Sequence, residues 1–375
     1  MIYLDYSANT PVDARVLEQF CAVERRCIGN ANSHHQAGSA AKAEIDAATI
    51  KIASLLGVQP AEIIYTSGAS EANNFALKGL ARLSRHAGRH IISTPLEHSS
   101  VSGTLTALQE QGYEIDLLDV KQDGTVDLEQ LKDLLRPDTI CVAVTLVDSE
   151  LGVVQPVQEI AAILKAYPHC HLHVDATQAV GKIPVSFEGV DTMSLTAHKF
   201  YGLNGIGLLI KRRNLALEPL IHGGESTTIY RSGTPTVALA SSLACALDLA
   251  VTDLPGRVDH VAKLNAELRA ALSTYPLVRI NSPDHAIPHV LNLSVRNVKG
   301  TVFQRELDAK GVCISVKSAC SSDGLPSRAV FAVSRDRRNA LSSWRISLSH
   351  LTTEDEIKAF LQAFDVCYRE LTALH

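Results

Sequence analysis

Short runs that are apolar almost from end to end recur through the first two thirds of this 375-residue chain, each followed by a stretch with helical periodicity. Extended segments are predicted at 62–66, 90–93, 140–147, 171–175, 192–195 and 207–210, and amphipathic helices at 71–85, 100–110 and 157–166. A strand without a polar face has to be covered on both sides, and the alternating helices supply the cover. The pattern therefore predicts an α/β architecture with a largely parallel sheet between helical layers.

The last third reads differently. Helices are predicted near 235–248, 258–275 and 303–310, extended segments at 289–295, 312–316 and 344–348, and a terminal helix from Glu354. This suits a smaller α+β unit joined by the N-terminal segment. We expect a large domain at 14–255 and a small domain made of 1–13 and 256–375.

Bulk properties narrow the function classes. With 35 basic against 40 acidic side chains the net charge is -5, so direct nucleic-acid binding is not expected. The uncharged stretch 232–247 is too short to span a bilayer, and the first residues show no basic-then-apolar leader. A cytoplasmic protein is expected. Its eight cysteines show no CxxC or Cys/His metal spacing, so no metal site is predicted.

Parallel α/β sheets bind ligands beyond the carboxyl ends of their strands, and four such places carry reactive residues. Thr66-Ser67-Gly68-Ala69-Ser70 turns into a helix whose free N–H groups favour an anion, although alone it is also an ordinary helix cap. In this turn Ser70 adds a hydroxyl, while Glu71 and Asn73 are expected to point elsewhere. Asp175 ends a buried run, where its carboxylate calls for a cationic partner. Lys199, in Ser194-Leu195-Thr196-Ala197-His198-Lys199, follows an apolar strand and is placed for a Schiff base, with Thr196 and His198 as phosphate donors. Finally, Cys320 sits in Lys317-Ser318-Ala319-Cys320-Ser321-Ser322, a polar stretch of the kind that exposes a thiol for use.

Together these segments resemble the cysteine desulfurases of the NifS/IscS type, in the class V aminotransferase branch of fold-type I pyridoxal-phosphate enzymes. The likeness starts at Tyr3-Leu4-Asp5-Tyr6-Ser7-Ala8 and runs through Glu97-His98, Glu150-Leu151-Gly152 and Arg231-Ser232-Gly233-Thr234 to Trp344-Arg345-Ile346. The resemblance implies a mostly parallel seven-stranded sheet, pyridoxal 5'-phosphate as cofactor, L-cysteine as substrate, a homodimer and a sulfur-acceptor protein. It implies that Lys199 carries the cofactor, Asp175 faces its ring nitrogen, Gln178 donates to its phenolic oxygen, and His98 stacks on the ring as a candidate acid/base. Ala69, Ser70, Thr196 and His198 surround the phosphate, joined by Thr234 of a second subunit. Arg345 grips the substrate carboxylate, and Cys320 takes the sulfur as a persulfide destined for iron–sulfur cluster assembly or for tRNA or DNA thiolation.

The sequence also departs from that family. Ser149 stands where the family has Asn at the cofactor and substrate, and Lys317 replaces a glycine before Ser318-Ala319-Cys320. Two other readings keep the fold: another class V enzyme, such as a selenocysteine lyase or aminotransferase, or a catalytically weak scaffold.

Overall fold

The computed structural model describes residues 1–317 and 325–373, so Cys320 lies outside the described residues. The chain opens with β1 (Ile2–Tyr3), α1 (Ala14–Arg26) and α2 (Gln36–Leu56). Next come β2 (Ile63–Thr66), α3 (Ala69–Leu83), β3 (His90–Ser93), α4 (Ser99–Gln109) and β4 (Glu114–Leu117). They are followed by α5 (Leu128–Leu134), β5 (Thr139–Thr145), α6 (Val157–Leu164), β6 (His171–Asp175), β7 (Thr192–Thr196) and β8 (Gly207–Lys211). The rest comprises α7 (Val237–Thr252), α8 (Leu254–Leu272), β9 (Val278–Ile280), β10 (Val290–Val295), α9 (Gly300–Ala309) and β11 (Val312–Cys313). It closes with α10 (Arg328–Ser334), α11 (Arg337–Ser342), β12 (Ser343–Ser347) and α12 (Glu354–Thr372).

Seven strands form the main sheet, in the order β2-β8-β7-β6-β5-β3-β4. All neighbours are parallel except β8, which runs antiparallel to both β2 and β7. Successive side chains on a strand alternate between faces. Ile64, Ile91, Ala143 and Leu209 thus pack with Phe75, Leu80 and Leu105 of α3 and α4. On the other face Ile63, Ile92, Val142 and Ile210 pack with Ile52 of α2, Ile160 of α6 and Leu243 and Leu247 of α7. Residues of β5, β7 and β8 are buried throughout, so none of these strands has a solvent-facing side.

The expected bounds of β3 and β6 coincide with the observed ones. β4 was not anticipated from the sequence because it is an edge strand, with Glu114 and Leu117 exposed and hence no apolar run. The segment expected to extend over 312–316 pairs as a strand only at Val312–Cys313, where β1 lies parallel to it. No single helix among the described residues is long and apolar enough to cross a membrane.

A second, three-stranded antiparallel sheet, in the order β12-β10-β9, packs on α8, α9 and α12. Its centre is aromatic: Phe303 stacks on Trp344 at 5.1 Å between centroids, and Phe364 lies 5.3 Å from Phe303. The N-terminal segment belongs to this layer through β1 and through a bridge from Asp5 to Ser347. It then crosses to the main sheet, where Thr10 N–H donates to the His198 carbonyl.

The carboxyl ends of β2, β5, β6 and β7 share one edge, and there two backbones come close. Gly207 starts β8 against β2; a Cβ on it would lie 2.6 Å from the Leu195 carbonyl oxygen and 2.7 Å from Gly68 Cα. Because those neighbours are backbone atoms, Gly207→Ala must move the turn that leads into α3. Thermal denaturation should show a loss of about 1–3 kcal/mol; an unchanged melting temperature would contradict this close approach.

Candidate active site

At that edge lies a cavity of about 340 Å³. Its wall includes Ala69, Ser70, His98, Ser149, Asp175, Gln178, Thr196, His198, Lys199 and Arg345. The fold therefore brings together every residue singled out from the sequence except two. Thr234 is exposed and does not line the cavity of its own chain. Cys320 lies outside the described residues.

Asp175 ends β6, 4% exposed. Its Oδ1 accepts the Thr177 N–H at 2.9 Å and its Oδ2 accepts Asn73 Nδ2 at 2.8 Å. Asn73 does not point away, as expected from the sequence. It is fully buried, and its amide is held from both ends. Oδ1 accepts from His173 Nε2 at 3.0 Å and from the Ser194 hydroxyl at 2.5 Å, while Nδ2 also donates to Ser100 Oγ at 2.9 Å. Glu71 also faces the site: it lines the cavity, accepts the Ser67 N–H at 2.7 Å and pairs with Arg231 at 3.0 Å. Burial works to raise the Glu71 carboxyl, but Arg231 and Ser67 hold it below its ordinary 4.5. The reason for the correction is helical phase: Asn73 falls on the α3 stripe that also buries Ala72, Ala76, Leu77 and Leu80.

Ser100 continues this network to His98. The Ser100 N–H donates to His98 Nδ1 at 3.1 Å, which makes the ring the N-cap of α4. With Nδ1 accepting, a neutral ring carries its proton on Nε2. Burial, assisted by the positive charges of Lys199 and Arg328, holds the imidazole below its ordinary 6.5, and Asp175 opposes them. Burial thus favours the neutral ring, whose orientation is fixed by the Ser100 N–H.

Lys199 closes a short 3₁₀ turn after β7. Its Nζ donates to the carbonyl of Ser7 at 2.8 Å and to that of Ala8 at 2.6 Å. Next to it, the Thr196 hydroxyl donates to the Ile206 carbonyl at 3.2 Å and lies 3.1 Å from His198 Nδ1. Burial and Lys199 bring His198 down to about 4, so it is neutral near pH 7. Gln178 Nε2 donates to Ser7 O at 2.9 Å, and its Oε1 accepts from Lys182 Nζ at 2.6 Å.

Arg345 is 1% exposed and sits in β12. One nitrogen pairs with Asp5 at 3.0 Å and another donates to the Ser149 carbonyl at 2.7 Å; its Nε finds no partner among the described residues. Asp5 in turn accepts the Ser315 hydroxyl at 2.8 Å. The sequence reading missed Asn73, Lys182 and the carbonyls of Ser7 and Ala8. Only Asn73 left a signal, as a polar residue on an apolar helical stripe.

These residues fit pyridoxal phosphate on the chemistry of their donors. The free N–H groups at the start of α3, with Gly68 at φ 153°, form an anion cradle, and a buried carboxylate and an amine open on the same cavity. Among the described residues no group of three or more His, Cys, Asp or Glu side chains is arranged to hold a metal ion.

A pair of buried acids stands behind the wall. Asp148 Oδ2 accepts the N–H groups of Glu150 and Leu151, yet burial, reinforced by Glu150, raises its carboxyl from 3.8 to about 7. A carboxyl raised on folding takes up a proton, so its stabilising contribution is present below the unfolded value and lost as pH rises through about 7. Asp148→Asn keeps an acceptor oxygen for both N–H groups and does not ionise. Its stability relative to wild type should rise between about pH 5 and pH 8 by roughly 1 kcal/mol or more, read by thermal denaturation. A difference independent of pH would contradict this.

The family model described as Aminotransferase class-V matches residues 2–360. The cysteine desulfurase IscS of Proteus mirabilis is 39% identical over 365 residues, covering 95% of this chain and 90% of its own. A solved NifS-like protein superposes with a TM-score of 0.93 at 35% identity, with both chains covered completely. A structure described as SspA in complex with cysteine superposes with a TM-score of 0.82 at 31% identity, over 94% of this chain and all of that one. With the seven-stranded sheet, the strand-edge cavity and these likenesses in agreement, the chain belongs to the aminotransferase class-V family, among its NifS/IscS-like cysteine desulfurases.

Proposed function

We propose that this protein is a pyridoxal-phosphate-dependent enzyme that takes sulfur from L-cysteine and releases L-alanine, with the sulfur held as a persulfide on Cys320. The observation that carries the proposal is that Lys199 and Asp175 line one cavity, with the α3 cradle, His98 and Arg345 around it. When bound, the cofactor supplies a ring that withdraws electrons from the substrate's α-carbon.

The chain's own residues do the rest. Asp175, fixed by Asn73 and the Thr177 N–H, would face the ring nitrogen. The N–H groups of Ala69 and Ser70, with the hydroxyls of Ser70 and Thr196 and the ring of His198, would hold the phosphate. For Thr196 this means turning its hydroxyl away from Ile206. Gln178, which lines the cavity, would offer an amide N–H to the ring oxygen. His98, whose Nδ1 accepts the Ser100 N–H, would lie against the ring with Nε2 as its donor. Arg345, braced by Asp5, receives the substrate carboxylate beside Ser149, where the backbone carbonyl already orients the guanidinium. Lys199 moves the substrate's α-proton.

Cys320 completes the reaction. Its thiolate attacks the sulfur of L-cysteine; an S–S bond forms, the C–S bond breaks, and the electron pair left on carbon takes up a proton, giving the methyl group of alanine. The products are one alanine and one persulfide for each cysteine and each thiol. The proposal includes a homodimer in which Thr234 reaches the phosphate of the second subunit, a cytoplasmic setting, and a sulfur-acceptor protein that removes the persulfide sulfur. We also assign residues 14–255 to a cofactor-binding domain, and 1–13 with 256–375 to a small domain that carries Arg345 and Cys320.

Incubation of the protein, loaded with pyridoxal phosphate, with L-cysteine should yield alanine, and mass spectrometry should find added sulfur on Cys320. Cys320→Ala should lower alanine formation by roughly 100-fold or more while leaving cofactor absorption intact. Undiminished alanine formation in that variant would overturn the persulfide step.

A further inference from the structure

Lys182 is a buried lysine to which the reaction above gives no role. It is 6% exposed, in the turn between β6 and β7 and one helical step beyond Gln178. An ammonium is costly to bury without a carboxylate partner, and Lys182 has no ion pair among the described residues. The charged and titratable groups that act on it are Lys199 after β7, Arg345 on β12 and His289 before β10. Burial first, then the like charges of Lys199 and Arg345, bring its amine from 10.5 down to about 7. His289 offers no relief: burial and Lys182 push its ring to about 3, so it stays neutral.

The hydrogen bonds supply a reason for a lysine at this place. Nζ of Lys182 donates to Gln178 Oε1 at 2.6 Å. The same amide donates through Nε2 to the Ser7 carbonyl at 2.9 Å, and that carbonyl also accepts Nζ of Lys199 at 2.8 Å. An amide can be turned over with little change of shape, and only its partners decide which end is oxygen. Turned over, Gln178 would set its oxygen against the Ser7 oxygen and, below about pH 7, its NH₂ against an ammonium. With Lys182 in place, the oxygen faces the lysine and Nε2 faces Ser7, on a side chain that lines the cavity.

We propose that Lys182 is a positioning residue for the cofactor site: it fixes the Gln178 amide with its donors toward Ser7 and the cavity, and through that amide it sets the proton affinity of the Lys199 nitrogen. The proposal rests on the cofactor reading and deepens it, because the group that Gln178 addresses is the oxygen on the cofactor ring. A donor held on that oxygen stabilises its anionic form and weakens its pull on a proton at the neighbouring Lys199 nitrogen.

The test uses the full-length protein loaded with pyridoxal phosphate and follows the cofactor's visible absorption as a function of pH. Lys182→Met, which keeps the apolar stem and removes the buried charge, should fold with a melting temperature near pH 7 no lower than wild type. Its absorption midpoint should rise by about one pH unit, a tenfold change in proton affinity. Gln178→Ala breaks the same relay in the middle and should move the midpoint in the same direction. In the Gln178→Ala background, Lys182→Met should add little, since coupled residues are not additive. Lys182→Arg keeps a donor for Oε1 and should stay within about 0.3 unit of wild type.

Equal shifts from Lys182→Met in both backgrounds would show that the lysine acts without Gln178, and would overturn the proposal. So would an unchanged midpoint in either single variant, whatever its melting temperature. If the wild type gains no visible band with added pyridoxal phosphate, the cofactor reading falls and this inference with it. A normal wild-type band with unmoved variants removes the inference alone.

Discussion

A carboxylate at the tip of a strand buried on both faces has to be held by its neighbours, and the way Asp175 is held organises this molecule. Its oxygens receive a backbone N–H from Thr177 and the side-chain amide of Asn73, which is itself clamped by His173 and Ser194. From Asn73 the network runs through Ser100 to His98. One amide on the first turns of α3 thus links the carboxylate of β6 to the imidazole at the head of α4. Each of these side chains is fixed by atoms of a neighbouring element, so the cavity is preorganised before anything binds.

The N-terminal segment supplies the second constraint. It is anchored beside β11 through β1, bridges to β12 at Asp5, and then lays the carbonyls of Ser7 and Ala8 on the amine of Lys199. Asp5 at the same time braces Arg345 from the small sheet. The two sheets therefore meet at the cavity through a few residues of extended chain. The consequence is functional: the same segment positions the amine assigned to the cofactor and the guanidinium assigned to the substrate. Buried basic groups, Lys182, Lys199 and Arg345, are gathered at one place, where the proposed anionic cofactor and substrate carboxylate would supply compensating charge.

Much of this was legible in the residues. Lys199 and Asp175 stood out because a charged residue directly after an apolar, β-branched run has few roles other than chemistry or a cap. β3 and β6 were bounded correctly because an apolar centre, Ile91-Ile92 in one and Leu172 and Val174 in the other, ends at a polar residue on each side. What the residues concealed follows from contact at long range. Asn73 looked like an ordinary first-turn polar residue, and only its contact with Asp175, 102 positions away, shows its use. Lys182 lies in a turn where lysine is usually solvated, yet the fold closes over it. Ser7 and Ala8 contribute backbone carbonyls, which no side-chain pattern can announce. The edge strand β4 and the small-residue helix α2, rich in alanine and poor in leucine, lack the contrast between faces that periodicity needs.

The central claim is that one cavity holds pyridoxal phosphate through Lys199. Borohydride reduction of the protein incubated with pyridoxal phosphate, followed by digestion and mass spectrometry, tests this most directly. The account predicts a single pyridoxyl adduct, on the peptide containing Lys199, and its loss in Lys199→Ala. An adduct on Lys182 or on surface lysines alone, or no stable adduct at all, would contradict it.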